Sequence, residues 1–198
     1  MRATASPNGL VNMIVPRKRI AVFGPESTGK SVIAEKLASY FNAPLVREYA
    51  REFWDQHGVI TLEDMMPIAR EQWRREDEAF LREGFDGQAS RALVICDTDA
   101  LTTMLWSDLL YGTCPEELRR TVEKRAKNYA LYLLMDIDVP FAPDPQRCFP
   151  DPAGRERCMR IFRGALERRQ LPFELIQGDW AQREQQAIAA IERALALQ

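Results

Sequence analysis

The sequence predicts an α/β fold, a five-stranded parallel sheet with helices on both faces and a small lid, and three observations carry that prediction. Five short apolar runs, 19–23, 44–47, 92–96, 131–136 and 173–176, are each bounded by turn or polar residues. Helical segments separate them, which is the alternation that crossover connections between parallel strands require. The first run leads directly into Gly24-Pro25-Glu26-Ser27-Thr28-Gly29-Lys30-Ser31, so the pattern G-x-x-x-x-G-K-[ST] sits between a strand and a helix. A motif in that context marks a P-loop NTPase fold, with ligands at the carboxyl ends of the strands.

The glycines of the loop let successive amides face inward and cradle polyphosphate oxygens at a helix N-terminus. Gly24, Glu26, Ser27, Thr28, Gly29, Lys30, Ser31 and Val32 are therefore the expected nucleotide-binding residues. Lys30 supplies a point charge for the β- and γ-phosphates, and the Ser31 hydroxyl is an oxygen ligand for Mg²⁺. ATP and Mg²⁺ are the expected cofactors. A structural glycine turn is the competing reading.

The first crossover helix, about 29–41, ends before Asn42-Ala43-Pro44, where proline stops helical continuation. The second run then delivers Arg47-Glu48-Tyr49-Ala50-Arg51-Glu52-Phe53 to the carboxyl edge of the sheet. A long helical stretch over about 61–83 starts at the N-cap candidate Thr61 and is expected to break or kink near Pro67. Its apolar face carries Trp73, read as core, and its run of arginines and glutamates reads as a solvated face. A turn-rich connection, 84–90, precedes the third run, which ends in Asp97-Thr98-Asp99. An apolar strand delivering Asp97 beside a phosphate loop resembles a Walker B element, suited to holding Mg²⁺ directly or through water. Asp99 fits a cap for the next helix better than Asp97 does.

Helices over about 100–110 and 115–128 lead to the fourth run. Four prolines between 140 and 152 then make a loop of restricted backbone. Arg155, Arg157, Arg160 and Arg163 follow on a helix over about 153–169, where lid arginines of P-loop kinases clamp the transferring group; plain surface arginines are the alternative. A last strand and a helix over 181–197 close the sheet. Trp180 between them reads either as a flank for adenine or as core.

At 198 residues, with Lys plus Arg 27 against Asp plus Glu 29, the chain suits one domain over 19–198 after a lead-in over 1–18. Near-zero net charge argues against nucleic acid as the main partner. No apolar run approaches a bilayer span, and Pro7, Asn8 and Pro16 interrupt any signal-peptide core, so a cytoplasmic protein without a membrane partner is expected. Four cysteines without C-x-x-C spacing and a single histidine, His57, do not make a zinc site. Oligomeric state is not encoded in any pattern of the chain.

Three blocks together, Gly24-Pro25-Glu26-Ser27-Thr28-Gly29-Lys30-Ser31, Arg47-Glu48-Tyr49-Ala50-Arg51-Glu52-Phe53 and Asp97-Thr98-Asp99-Ala100-Leu101-Thr102-Thr103, resemble the kinase domain of NadR-type proteins, the ribosylnicotinamide kinases, over about residues 19–195. The resemblance implies transfer of the ATP γ-phosphate to the 5′-hydroxyl of nicotinamide riboside, giving nicotinamide mononucleotide in NAD salvage. It implies Lys30, Glu48, Asp97 and Arg147 as catalytic residues, with Glu48 and Asp97 rivals for the base. It implies Glu48, Tyr49, Arg51, Asp99, Phe141 and Asp144 at the nucleoside substrate, and Ser31 with Asp97 at the metal. The lid departs from the family's P-W-x-x-D-G-x-R, since Phe141 stands for the tryptophan and Pro145 for the glycine. Phenylalanine keeps an aromatic face, whereas proline fixes φ. With one histidine there is no H-x-G-H site, so the adenylyltransferase activity of multifunctional relatives is not expected. A kinase for another small nucleoside or metabolite, or a regulatory ATPase, are the alternatives.

Overall fold

Ile20 and Val22 point to one side of strand β1 (Lys18–Phe23), Ala21 and Phe23 to the other, and all four are fully buried. That double burial puts β1 at the centre of a parallel sheet. The computed structural model describes residues 17–81 and 93–196. In it β1 pairs with β3 (Leu93–Asp97) and β4 (Tyr129–Met135), and β2 (Leu45–Val46) and β5 (Phe173–Ile176) form the edges, giving the order β2-β3-β1-β4-β5. Every pairing is parallel.

Helices α1 (Lys30–Tyr40) and α7 (Trp180–Ala196) cover the face that carries Ile20 and Val22. The opposite face packs on α3 (Met65–Leu81), α4 (Ala100–Tyr111), α5 (Glu116–Arg125) and α6 (Pro152–Arg168). At its centre Phe23 meets the edge of Tyr132 at 5.5 Å and the ring of Phe162 at 5.1 Å. Trp73 is core on this face, 7 % exposed. Among the described residues no helix is long and apolar enough to cross a membrane.

The segment after β2 forms a helix, α2 (Tyr49–His57), closed by Gly58. Two expectations are corrected. The expected kink at Pro67 is absent: a 3₁₀ turn over Leu62–Asp64, held by the Thr61/Asp64 capping box, precedes α3, and Pro67 falls in the first turn of α3, where its missing amide has no helical partner to lose. The third strand ends on Asp97 itself, and the fourth begins at Tyr129, two residues before the expected start. The connection over 84–90 and nearly all of the lead-in lie outside the described residues.

Glu76 is a buried carboxylate in the middle of α3, 0 % exposed. Burial pushes its pKa up to about 7, and nearby Asp99 adds to the shift, while Tyr129, Gln72 and Arg125 oppose it. Cys96 of β3 and Tyr132 of β4 also face it. The folded carboxyl thus holds its proton more tightly than the unfolded one. That stability is fully present below the ordinary value of 4.5 and is lost as pH rises through about 7. The gap between those two values is worth on the order of 3 kcal/mol. Glu76→Gln should therefore melt close to the native chain at pH 5 and well above it at pH 8. A melting difference that does not change with pH would refute this assignment.

Candidate active site

Two loop positions require glycine. Gly24, at φ 142°, lies so close to β4 that a Cβ there would stand 2.9 Å from the Met135 carbonyl. Gly29, at φ 81°, caps α1 beneath the Trp180 ring, where a Cβ would meet the indole at 2.5 Å. Neither contact leaves room for a side chain. The loop is also pinned from within. The Thr28 hydroxyl donates to the Pro25 carbonyl at 2.9 Å, and Lys30 Nζ donates to the same oxygen at 2.7 Å.

Arg183, fully buried on α7, secures the loop from outside. It donates to the Thr28 carbonyl at 3.0 Å, to Gly178 at 2.8 Å and to Asp136 at 3.0 Å, and it pairs with Asp138. One side chain thereby ties the phosphate loop to the carboxyl ends of β4 and β5. Trp180 is 46 % exposed and rests on the loop, so of the two readings open for it the core is excluded.

Lys30 stands among carboxylates. Burial lowers its pKa, and Glu48, Asp97 and Glu26 pull it back up. Glu48 is the N-cap of α2 and Asp97 ends β3, so two neighbouring strands present one acid each to the same lysine. Burial raises both carboxyls above their usual range; Lys30 opposes the shift in each, and in Asp97 the Ser31 hydroxyl opposes it more strongly. The amide of Thr98 donates to the Val22 carbonyl at 3.0 Å, which locks Asp97 against β1.

Asp97 is 4 % exposed, and its Oδ1 is buried without a hydrogen-bond partner. An orphaned carboxylate oxygen beside a serine hydroxyl suits a hard cation. Among the described residues no cluster of three His, Cys, Asp or Glu could hold a metal alone. The donor set therefore fits Mg²⁺, which takes one or two protein ligands and completes its shell with phosphate and water.

The loop between β4 and α6 lies over the phosphate loop. Glu26 accepts the amides of Cys148 at 2.9 Å and Phe149 at 2.6 Å, and the Ser27 hydroxyl accepts the amide of Ala142 at 2.7 Å. Arg147 reaches the same hydroxyl at 3.4 Å. Asp144 pairs with Arg51 of α2 at 3.0 Å, tying the lid to the second strand's helix. Arg147 N–H donates to the Asp144 carbonyl at 2.9 Å, closing a turn with Pro145 at its second position. Proline is pre-set for that position, so the departure from the family's glycine is accommodated.

A cleft of about 690 Å³ opens from the loop and is walled by Glu26 to Val32, Glu48, Arg51 and Arg147. The rest of its wall is largely apolar and aromatic, with Trp54, Ile60, Met65, Ile68, Trp106 and Tyr111. Thr98, Thr102, Thr103, Gln72 and Gln146 add polar groups.

Several residues expected here stand elsewhere. Asp99 is 1 % exposed and serves as the cap of α4: one oxygen accepts from the Thr102 amide and hydroxyl at 3.1 Å, the other from the Tyr132 hydroxyl at 3.1 Å. Buried and bonded on both oxygens, it does not line the cleft. Tyr49 packs its ring under the Arg75 guanidinium at 4.4 Å and against Phe53. Phe141 lies in the lid near the guanidinium groups of Arg147 and Arg155, at 5.8 and 5.9 Å, outside the cleft wall. The Glu26 carboxylate is spent on the lid amides rather than on the phosphate cradle. Of the α6 arginines, Arg160 and Arg163 pair with Glu156 and Glu167 on the exposed face.

Sequence reasoning missed Trp54, Gln72 and Trp106 as wall residues. Only Thr102 and Thr103 carried a signal, in the D-T-D-x-x-T-T block.

Among solved structures, a NadR protein in complex with NR matches at TM-score 0.70 and 22% identity over 92% of this chain and 52% of that one. A NadR protein in complex with NAD and AMP-PNP matches at TM-score 0.67 and 20% identity, over 92% and 50%. The thymidylate kinase from Ehrlichia chaffeensis follows at TM-score 0.61 and 16% identity, over 92% and 100%. The chain spans about half the length of the two NadR chains. These likenesses establish the fold, the five-stranded P-loop architecture shared with nucleoside and nucleotide kinases. An AAA domain family model matches residues 19–183, from the central strand to the arginine that pins the phosphate loop, and the chain therefore belongs to the AAA domain family.

Proposed function

We propose that this protein is an ATP-dependent kinase that transfers the γ-phosphate to the 5′-hydroxyl of nicotinamide riboside, releasing nicotinamide mononucleotide and ADP. The observation that carries this reading is the position of Glu48, beside Lys30 of the phosphate loop and in the wall of a cleft rich in aromatic side chains. Phosphoryl transfer asks mainly for alignment of the acceptor oxygen with the γ-phosphate and for neutralisation of spreading charge. Lys30 and Arg147 supply positive charge at the loop, and Glu48 faces the acceptor hydroxyl as its base. Ser31 and Asp97 would hold Mg²⁺, which supplies charge neutralisation on the β- and γ-oxygens when bound.

The chamber also bears on the acceptor. The basic side chains in the cleft wall are Lys30 of the phosphate loop, Arg147 of the lid and Arg51, which is paired with Asp144; the aromatic and apolar part of the wall adds none. An acceptor that carries its own phosphate finds no cation in that part of the wall, whereas a nucleoside with a cationic pyridinium ring finds the faces of Trp54, Trp106 and Tyr111. The NadR likeness, with NR in one of those structures, supports the same acceptor.

The test is ADP release with ATP and Mg²⁺ against a panel of nicotinamide riboside, other nucleosides and nucleoside monophosphates. Strong stimulation by nicotinamide riboside alone is expected. Equal rates with every acceptor, or without any, would reject the assignment.

A further inference from the structure

Helix α2 carries Glu48, Arg51 and Trp54 to the cleft, yet none of its residues is buried. No fully buried side chain anchors it, so polar ties to its neighbours share in fixing its position. Two are on its flanks, Glu52 to Arg75 at 2.6 Å and Arg51 to Asp144 at 3.0 Å. The third is at its start and runs into the core.

Gln72 and Glu76 stand one turn apart on α3, 2 % and 0 % exposed. Gln72 Oε1 accepts the amide of Tyr49, the first residue of α2, at 3.0 Å. Its Nε2 donates to Glu76 Oε1 at 3.2 Å, and Glu76 Oε2 accepts the Tyr129 hydroxyl of β4 at 2.5 Å. Glu48 makes no side-chain cap of its own, so the Tyr49 amide is one of the orphan donors of a helix start, and Gln72 is its acceptor.

We propose that Gln72, oriented by Glu76 and Tyr129, is a positioning residue that fixes the first turn of α2 and with it the carboxylate of Glu48. A free glutamine amide has two orientations that exchange donor and acceptor. Glu76 Oε1 accepts, so it turns Nε2 toward itself and leaves Gln72 Oε1 for Tyr49. The Tyr129 hydroxyl takes the far oxygen of Glu76, which satisfies the buried carboxylate on both sides. The chain thus transmits a direction from the central sheet to the residue adjoining the catalytic carboxylate. It rests on the kinase reading of the cleft only for its effect on turnover, not for its effect on α2.

Two variants of the full chain test it, read by acceptor-dependent kcat, KM for ATP and amide exchange in the peptide covering 49–57. Gln72→Met keeps the volume and removes both bonds. It should lower kcat by about 10- to 100-fold through misplacement of Glu48, leave KM for ATP within about threefold, and speed exchange in 49–57. The double variant Gln72→Glu with Glu76→Gln reverses the pair: Glu at 72 accepts from Tyr49 and from the new amide at 76, whose oxygen accepts from Tyr129. It should return both kcat and exchange to within about threefold of the native chain. A folded Gln72→Met with native kcat and native exchange overturns the proposal. So does a folded double variant as impaired as Gln72→Met. If the native chain shows no acceptor-stimulated turnover, the kinase reading falls and the exchange measurements alone decide whether Gln72 holds α2.

Discussion

Replacing Lys30 with Met is expected to cost about 10³-fold in ATP-dependent turnover, on the order of 4 kcal/mol of transition-state stabilisation. The lysine is the one cation that two carboxylates and the phosphate loop share: it donates to the Pro25 carbonyl and opposes the charges of Glu48, Asp97 and Glu26. Methionine preserves the stem and deletes the charge. Two losses follow together. The phosphoryl oxygens lose their point charge, and Glu48 and Asp97, both already raised by burial, lose a cation that opposes that rise. Nucleotide affinity should fall far less, because the inward-facing amides of the loop and the start of α1 remain. Lys30→Arg is not expected to rescue, since a planar fork does not occupy the place of a compact ammonium against Pro25. The measurement is single-turnover phosphorylation beside equilibrium binding of ADP. Turnover within tenfold of the native chain would reject the placement of the phosphates on Lys30.

Glu76, Asp99 and Glu48 show why part of this site is legible in sequence and part is not. All three are acids that pack against the sheet or its ends, Glu48 after β2, Asp99 after β3 and Glu76 against Tyr129 at the start of β4. The central strands announce themselves because residues buried on both faces leave continuous apolar runs, and the phosphate loop because glycine alone fits beside Met135 and Trp180. Helix α2 leaves a fainter trace: it is nine residues long and fully buries none of them, so its short aromatic face, Tyr49 and Phe53, does not stand out beside the strands. A motif also cannot distinguish an acid that meets a ligand from one that caps a helix. Asp99 lies in the same block as Asp97, two residues on, and its oxygens are consumed by Thr102 and Tyr132. The same holds for Glu26, whose place in the loop is read from sequence but whose partners, two amides more than a hundred residues away, are not. The aromatic chamber was the least legible feature. Trp54, Met65 and Trp106 come from α2, α3 and α4, and only the topology brings them to one wall.

The second large effect separates the two acids that flank Lys30. Both acids line a smaller cavity of about 430 Å³ together with Ser31, Arg47 and Arg51, but only Glu48 also lines the large cleft, where it stands with Arg51 and Trp54. Because Glu48 alone of the two reaches the large cleft, we propose it for the acceptor, and Asp97 with Ser31 for the metal. Glu48→Gln should lower kcat by about 10²- to 10⁴-fold with KM for ATP nearly unchanged, the scale of a lost general base. Because burial raises the Glu48 carboxyl above its ordinary 4.5, the rate of the native chain should climb with pH through a limb that lies above the usual carboxylate range, as the base becomes ionised. That limb should vanish from the residual activity of Glu48→Gln. Asp97→Asn should instead shift the Mg²⁺ dependence to higher concentration and recover part of its turnover at saturating metal, because Ser31 and the phosphates still hold the cation. If Asp97→Asn removes the acidic limb while Glu48→Gln changes only the Mg²⁺ requirement, the two carboxylates exchange roles: the acceptor hydroxyl would then lie against the end of β3 rather than the start of α2.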